Sequence, residues 1–100
     1  MAGRDRKRRR AMYDTILKLS SYQECCDFFD DLCTGKELEA LEQRFEVARM
    51  LTRNKVYMDI MKETGASSAT ISRVKRMLSD GTGCLGGMIK EELRQSEKED

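Results

Sequence analysis

A glycine between two stretches of helical periodicity constrains the fold of this chain more than any other feature. Ile60 lies on the apolar side of the stretch before Gly65, and Ile71 and Val74 recur at helical spacing in the stretch after it. Glycine adopts a positive φ angle without steric cost, so Gly65 can end one helix and turn the chain toward the next. Residues 57–77 therefore predict two short helices joined by a tight turn.

Two helices that cross over a turn of three or four residues containing glycine are typical of a helix-turn-helix, whose second helix enters the DNA major groove. We predict this motif at about residues 56–79, with Ser67 capping the second helix. The short side chains at the start of that helix would then face base edges, where hydroxyls meet donors or acceptors and methyl groups meet thymine. These predicted base contacts are Ser68, Ala69, Thr70 and Ser72. The pattern alone also fits an ordinary helical hairpin with solvated basic residues.

The charge is unevenly distributed, although the net charge is only +1. Residues 53–76 hold six basic residues against Asp59 and Glu63. A local positive field attracts the phosphates of a duplex, and phosphate contacts set affinity and register rather than sequence preference. The predicted phosphate contacts are Arg53, Lys55, Lys62, Arg73, Lys75 and Arg76.

One hundred residues without a proline predict a single all-α domain of five to six short helices. Residues 1–9 are expected to form a basic disordered arm, either a solvated terminus or a tail that touches phosphates. Residues 10–94 form the single helical DNA-binding domain, and residues 95–100 a mobile tail.

Apolar periodicity and two capping-box signatures, Ser21 with Glu24 and Thr34 with Glu37, predict where the helices begin. The expected helices span about residues 10–19, 21–33, 36–53, 56–64 and 67–79, with a last one at 87–94, and Asn54 is expected to end the third in a left-handed conformation. That third helix carries an apolar surface wider than one short neighbour can cover, which favours burial against a second subunit. Its apolar residues are Leu38, Leu41, Phe45, Val47, Ala48, Met50 and Leu51.

Several classes of protein are disfavoured. The four cysteines form no CxxC pair and histidine is absent, so we expect no metal site and no cofactor. Cys25, Cys26 and Cys33 share a helical face with Phe29 and Leu32, which predicts core residues in a reducing cytoplasm, with redox sensing as the alternative. The N-terminus lacks the apolar segment of a secretory signal, and no apolar run could span a membrane. Without histidine or a paired catalytic constellation, we do not expect an enzyme.

Two sequence words, ELEALEQRFEVARML and ETGASSATISRVKRML, resemble the Trp-repressor-like family, especially its YerC/YecD branch. The resemblance covers residues 34–81, and the words follow the family order and spacing. It implies an intertwined, all-helical homodimer whose paired recognition helices contact a palindrome.

The resemblance also implies a ligand position. In tryptophan-sensing members the indole lies between two arginines, which Arg44 and Arg73 match, and Thr34 matches a threonine beside that pocket. Met77 stands where those members use a serine for the ligand's amino group, and a thioether is only a weak acceptor. We therefore favour phosphate contact for both arginines, or ion pairing with glutamates such as Glu37 or Glu46, over tryptophan sensing.

The sequence thus predicts a cytoplasmic, bacterial-type transcriptional regulator, with repression as the favoured outcome, that binds double-stranded DNA as a homodimer and independently of tryptophan. Two alternatives stay open. One is a repressor that responds to tryptophan or another small molecule through an Arg44–Arg73 pocket. The other is a helical protein-interaction module that docks partners through Leu85, Met88 and Ile89.

Overall fold

The computed structural model describes residues 9–99, with side chains described as far as residue 97. This range contains six helices and no strand, which confirms the predicted fold class. The helices are α1 (Arg10–Ile16), α2 (Tyr22–Leu32), α3 (Gly35–Thr52), α4 (Tyr57–Thr64), α5 (Ser68–Asp80) and α6 (Cys84–Glu99). None of the described helices is long and apolar enough to cross a bilayer. Apart from Arg9, the predicted N-terminal arm lies outside the described residues.

Side-chain caps fix the starts of α2 and α3. Ser21 Oγ accepts a bond from the Glu24 backbone N–H at 3.1 Å. Thr34 Oγ1 accepts from the Glu37 N–H at 3.1 Å, and Glu37 Oε1 accepts from the Thr34 N–H at 2.8 Å. Only the second pair closes a reciprocal capping box, because the Glu24 carboxylate instead accepts from the backbone and hydroxyl of Ser20. Both predicted helix starts are nevertheless correct within a residue.

Helix α3 ends in a Schellman motif. Asn54 takes the predicted left-handed conformation with a φ angle of 64°. Its N–H donates to the Leu51 carbonyl at 3.0 Å, and the Lys55 N–H donates to the Met50 carbonyl at 3.0 Å. These two bonds satisfy carbonyls that lack partners inside the helix. The chain therefore leaves α3 at a defined angle on its way to α4.

The chain divides into two compact units, whose described parts are residues 9–40, the N-terminal unit, and residues 41–99, the C-terminal unit. No residue of α1 or α2 is buried. Phe28 and Phe29 pack edge to face with ring centroids 5.1 Å apart. The large apolar side chains that the described N-terminal unit leaves exposed are Met12, Tyr13, Leu17, Tyr22 and Leu32.

The cysteines of α2 depart from their prediction as core residues. Cys25 is exposed, whereas Cys26 and Cys33 are only partly buried, and all four cysteines of the chain are free thiols. Helical spacing correctly indicates which residues share a face, but it does not tell whether another element covers that face. The prediction of a buried cysteine cluster is therefore wrong for the single chain.

The hydrophobic core lies in the C-terminal unit. Its buried residues are Val47, Ala48 and Met50 of α3, Ile60 of α4, Ala66 of the turn, Ile71 and Val74 of α5, and Ile89 of α6. Burying one isoleucine side chain contributes about 2 kcal/mol, so each of the three isoleucines adds substantially to this small core. Two other residues of the α3 stripe, Leu41 and Phe45, stay 41% and 47% exposed in the single chain.

Helix α6 begins earlier and runs longer than predicted. Gly83 adopts a φ angle of 89°, and Thr82 Oγ1 accepts a bond from the Cys84 N–H at 3.2 Å, so the chain enters the helix at Cys84. Gly86 lies inside α6 despite its low helix propensity, because the burial of Ile89 stabilises this helix through tertiary packing.

The predicted mobile tail, residues 95–100, begins inside α6. Residues 95–99 are helical, whereas residue 100 lies outside the described part of the chain. The mobility of this segment stays a prediction.

Candidate nucleic-acid interface

The turn between α4 and α5 has the predicted backbone geometry. Gly65 is left-handed with a φ angle of 76°, and its N–H donates to the Met61 carbonyl at 2.9 Å. Ala66 is buried, and Ser67 caps α5 because its Oγ accepts from the Thr70 N–H at 3.1 Å. Gly65 thus ends the first helix and Ser67 starts the second, as predicted from the sequence.

A hydrogen-bond network centred on Thr64, which sequence reasoning missed, holds this turn. The Thr64 hydroxyl donates to the Ile60 carbonyl at 2.7 Å and accepts from the Ala66 N–H at 3.1 Å. The Thr64 carbonyl accepts from Gln43 Nε2 of α3 at 3.1 Å. A threonine directly before the turn glycine is a local signal that could have been found. Gln43 carries no such signal, because it lies 21 residues away in the chain.

The predicted base-contacting residues lie together at the N-terminal end of α5, where three of the four are exposed. Ser68, Ala69 and Ser72 are exposed, whereas Ile71 and Val74 on the other side are buried. This arrangement leaves short polar and methyl-bearing side chains available at the surface.

Two of these side chains already have protein partners. Thr70 is partly buried, and its hydroxyl accepts from the Ser67 hydroxyl at 3.1 Å. Ser72 Oγ lies 3.5 Å from Tyr57 Oη of α4, on the exposed surface. The hydroxyls of Thr70 and Ser72 are therefore more constrained than the sequence suggested.

The six predicted phosphate-contacting residues are all exposed. Arg53 and Lys55 flank Asn54 in the turn after α3, Lys62 lies on α4, and the others lie on α5. In the range that the structure describes, ion pairs form only elsewhere: Arg10–Asp14, Arg49–Glu46, Arg49–Glu92 and Arg94–Glu91. None of the six charged groups thus forms an ion pair in this range, and they can interact with an external anion.

The predicted ligand pocket is only partly formed. A recess of about 220 Å³ is lined by Arg44, Met77, Leu78 and Leu85, together with Val74 and the turn before α6. Arg73 is exposed and does not line this recess. Thr34 belongs to the N-terminal unit, where its hydroxyl caps α3. Arg44 and Arg73 therefore do not line a common recess in the C-terminal unit, and a ligand position at Thr34, Arg44 and Arg73 stays a prediction.

The expected ion pairs of Arg44 and Arg73 with glutamates are also not formed among the described residues. Glu46 instead pairs with Arg49 at 3.6 Å, and the Glu37 carboxylate accepts the Thr34 N–H. A residue that caps a helix or pairs with a neighbour on its own helix is less available to a distant arginine.

A wider apolar recess of about 590 Å³ lies between α3 and α6, lined by Phe45, Leu85, Met88 and Ile89 and by the charged residues Glu46, Arg49 and Glu92. Arg49 lies 3.6 Å from Glu46 and 3.4 Å from Glu92, and so links the two helices. Met88 is 68% exposed, but Ile89 is buried in the core. The prediction of Ile89 as a docking residue on a free surface is therefore wrong.

Among the described residues, no group of three or more His, Cys, Asp or Glu side chains could hold a metal ion.

Comparison with known proteins identifies the family of this chain. A family model described as Trp repressor protein matches residues 7–95. The chain belongs to the Trp repressor family. It is 48% identical over 88 residues to the uncharacterized protein YerC of Bacillus subtilis, a match covering 88% of this chain and 84% of that protein. This relative confirms the predicted YerC-like branch.

Two solved structures share the fold. A protein from Staphylococcus aureus named as a candidate Trp repressor superposes with a TM-score of 0.78 at 43% identity, covering 83% of each chain. A TrpR-like protein from Eubacterium eligens gives a TM-score of 0.79 at 44% identity, covering 82% of this chain and 84% of that one. Members of the Trp repressor family are regulators rather than enzymes, and the family match indicates a helix-turn-helix DNA-binding regulator.

Proposed function

We propose that this chain is a sequence-specific DNA-binding transcriptional regulator, and a repressor, that inserts α5 into the major groove. The observation that carries this proposal is the two-sided chemistry of α5. Its apolar side is fixed in the core by Ile71 and Val74, while Ser68, Ala69 and Ser72 are exposed beside unpaired cations. A recognition helix needs both a rigid attachment and a free polar face.

The residues around α5 divide into two roles. The short side chains at its N-terminus, Ser68, Ala69, Thr70 and Ser72, contact base edges and discriminate sequence. The basic residues Arg53, Lys55, Lys62, Arg73, Lys75 and Arg76 contact phosphates and supply affinity and register. Because none of the base-contacting residues offers a bidentate fork, water and DNA shape contribute to the sequence preference.

The regulator acts as a homodimer. The support is the apolar surface that one chain leaves open: Leu17 and Tyr22 are 82% and 84% exposed in the N-terminal unit, and Phe45 is exposed on α3. A chain of this size buries too little surface alone to expose so many large apolar side chains without cost. A two-fold dimer would place two copies of α5 about 34 Å apart, one turn of the duplex.

The test is selection of bound fragments from a genomic DNA library at several salt concentrations. We expect enrichment of a palindromic sequence, together with an affinity that falls steeply as salt rises, because each neutralised phosphate releases counterions. Binding without sequence preference, or a salt dependence near zero, contradicts the proposal.

Repression does not depend on tryptophan in this proposal. Met77 lines the Arg44 recess where tryptophan-sensing members use a serine hydroxyl, and a thioether accepts only weak hydrogen bonds from an ammonium group. Arg73 is absent from the lining of that recess, so a second cation is not supplied from α5. We therefore expect the DNA affinity to be the same with and without tryptophan.

A second candidate function is regulation by another small molecule in the same recess, favoured by the single cation of Arg44 within mainly apolar walls. Titration calorimetry with tryptophan and a panel of related amino acids and aromatic acids tests it. Heat that saturates at one site per chain, together with a changed DNA affinity, would establish an effector. No heat from any member of the panel removes this candidate.

A further inference from the structure

We infer that Gln43 is a positioning residue for DNA recognition, setting the angle at which α3 presents the helix-turn-helix. This inference rests on the proposed DNA-binding function and adds a residue outside the motif to it. Gln43 lies in α3, and its side-chain amide reaches the end of α4, where Nε2 donates to the Thr64 carbonyl at 3.1 Å. The bond is partly buried, so water competes for it less than for a surface bond.

The acceptor of this bond is a carbonyl that the helix itself cannot satisfy. The last four carbonyls of an α-helix lack intrahelical partners, and Thr64 is the final residue of α4. Other groups of the turn are satisfied from within the motif, because the Thr64 hydroxyl and the Gly65 N–H bond to α4 itself. Gln43 supplies a side-chain hydrogen bond to this turn from outside the motif.

The Gln43 amide also lies directly over the turn. A Cβ atom built on Gly65 would have Gln43 Nε2 as its nearest neighbour, at 4.0 Å, which is ordinary van der Waals contact. The left-handed Gly65 and the Gln43 amide therefore meet at the point where the chain turns from α4 toward α5. A substitution of Gln43 therefore alters the contacts of the turn itself.

The other link between α3 and the motif is apolar and less directional. Val47 and Ala48 of α3 share the core cluster with Ile60 and Ile71. Hydrophobic packing scales with buried area and holds the helices together, but it is not directional. A hydrogen bond weakens steeply as its angle departs from linearity, so the Gln43–Thr64 bond selects one orientation among those that packing allows. Because α5 follows directly after the turn, the orientation of the turn also sets that of the base-contacting residues.

Misorientation of α5 affects the two kinds of DNA contact differently. Base-edge hydrogen bonds require positions accurate to a fraction of an ångström, whereas long lysine and arginine side chains reach phosphates from many orientations. Loss of the Gln43 bond should therefore lower sequence-specific affinity while leaving non-specific affinity nearly unchanged. A residue that only stabilises the fold would lower both in proportion to the unfolded fraction.

The experiment compares Gln43→Met with the wild-type chain and with Gln95→Met. Methionine keeps the length and apolar stem of glutamine but removes both amide donors. Gln95 makes an exposed side-chain bond to Glu91 at 3.4 Å on α6, so Gln95→Met is the same chemical change away from the motif. Affinities for the selected operator and for a scrambled duplex are measured at one salt concentration and at a temperature where all three chains are folded.

We expect Gln43→Met to lower operator affinity about tenfold, the effect of a few weakened base contacts, and scrambled-duplex affinity less than about twofold. Gln95→Met should change neither. In the free protein, amide hydrogen exchange at Gly65 and Ala66 should quicken in Gln43→Met alone, because the turn is less restrained.

Two other outcomes have separate meanings. If the wild-type chain discriminates operator from scrambled DNA and Gln43→Met discriminates equally, or loses both affinities alike, the positioning role is wrong and the proposed function stands. If the wild-type chain does not discriminate at all, the proposed function itself fails and this inference fails with it.

Gln43→Glu is the second variant: its carboxylate faces the Thr64 carbonyl without a donor, so it should lower operator affinity further than Gln43→Met.

Discussion

Gly65 supports the turn between α4 and α5 through its backbone conformation. Its φ angle of 76° lies in the left-handed region, which costs a residue with a side chain about 1–2 kcal/mol. No backbone atom crowds the space where a Cβ would lie, so the requirement for glycine is conformational rather than steric. The turn before α5 therefore tolerates a larger residue only with strain.

Gly65→Ala is expected to destabilise the fold by about 1 kcal/mol, the left-handed cost less the entropy that alanine removes from the unfolded chain. Gly35→Ala is the matched control: Gly35 is the first residue of α3, and nothing lies within 4 Å of its Cβ position. That change should stabilise by about 0.5 kcal/mol. Urea denaturation at one protein concentration measures both. Equal effects in the same direction would show that backbone strain does not distinguish the two sites.

Thr70 and Arg76 should separate sequence reading from affinity. Thr70→Ala is expected to lose discrimination, by about 1–3 kcal/mol at one base position, and to keep weak non-specific binding. Arg76→Ala should weaken binding to all sequences alike and reduce the log–log salt slope by about 1. Binding titrations with matched and mismatched duplexes at three salt concentrations give both values. Similar losses of discrimination in the two variants would contradict the assigned roles.

At the scale of helices, the start of α3 depends on the Thr34–Glu37 capping box. Thr34→Ala should destabilise by about 1 kcal/mol, because the Glu37 N–H loses its acceptor. Thr34→Ser keeps the hydroxyl and should stay close to the wild-type stability. Denaturant titration distinguishes the two variants. If Thr34→Ser is as destabilised as Thr34→Ala, the methyl group rather than the cap carries the effect.

The elements that the sequence predicted well are those with local signals. Ser67, Gly65 and Asn54 act on the backbone within a few residues of themselves, and their caps and turns were all predictable. Helix α6 was predicted too short because its glycines argue against a helix locally. The burial of Ile89, which stabilises α6, depends on packing that no local pattern reports.

In the candidate site, too, the features with local sequence signals were predictable and those that depend on tertiary packing were not. The exposure of Ser68, Ala69 and Ser72 followed from periodicity, since Ile71 and Val74 fix the buried side, whereas Thr70 is more buried than predicted. The position of Arg73 outside the Arg44 recess did not follow, because it depends on how α5 is rotated against α3 and α6. The role of Gln43 could not be predicted either, because its hydrogen bond joins residues that are 21 positions apart in the sequence.

At the scale of the whole molecule, the proposed homodimer predicts that stability depends on association through the exposed apolar side chains. Leu17 is 82% exposed in the single chain, and the neighbouring Lys18 is exposed as well. In a monomer, substitutions at both positions should stay within about 0.5 kcal/mol of wild type. In a homodimer that buries Leu17, that residue should contribute about 2 kcal/mol per chain.

Leu17→Gln is therefore expected to lower the Tm and shift the chain toward monomer, whereas Lys18→Gln leaves both unchanged. The Tm of the wild-type chain should also rise with protein concentration, because association favours the folded state. Scanning calorimetry and analytical ultracentrifugation over a hundredfold range of concentration provide the measurements. A concentration-independent Tm, with both variants matching wild type, argues against the dimer.

The Schellman turn after α3 has a consequence for proteolysis. Arg53 and Lys55 are exposed on either side of the left-handed Asn54, so trypsin has two cleavage points on the stretch that connects α3 to the recognition motif. Exposed turns are where proteases cut first. The same two side chains are assigned to phosphates, so a bound duplex should cover these bonds. The rate of tryptic nicking at this turn would then report the occupancy of the DNA site, without a label on either molecule.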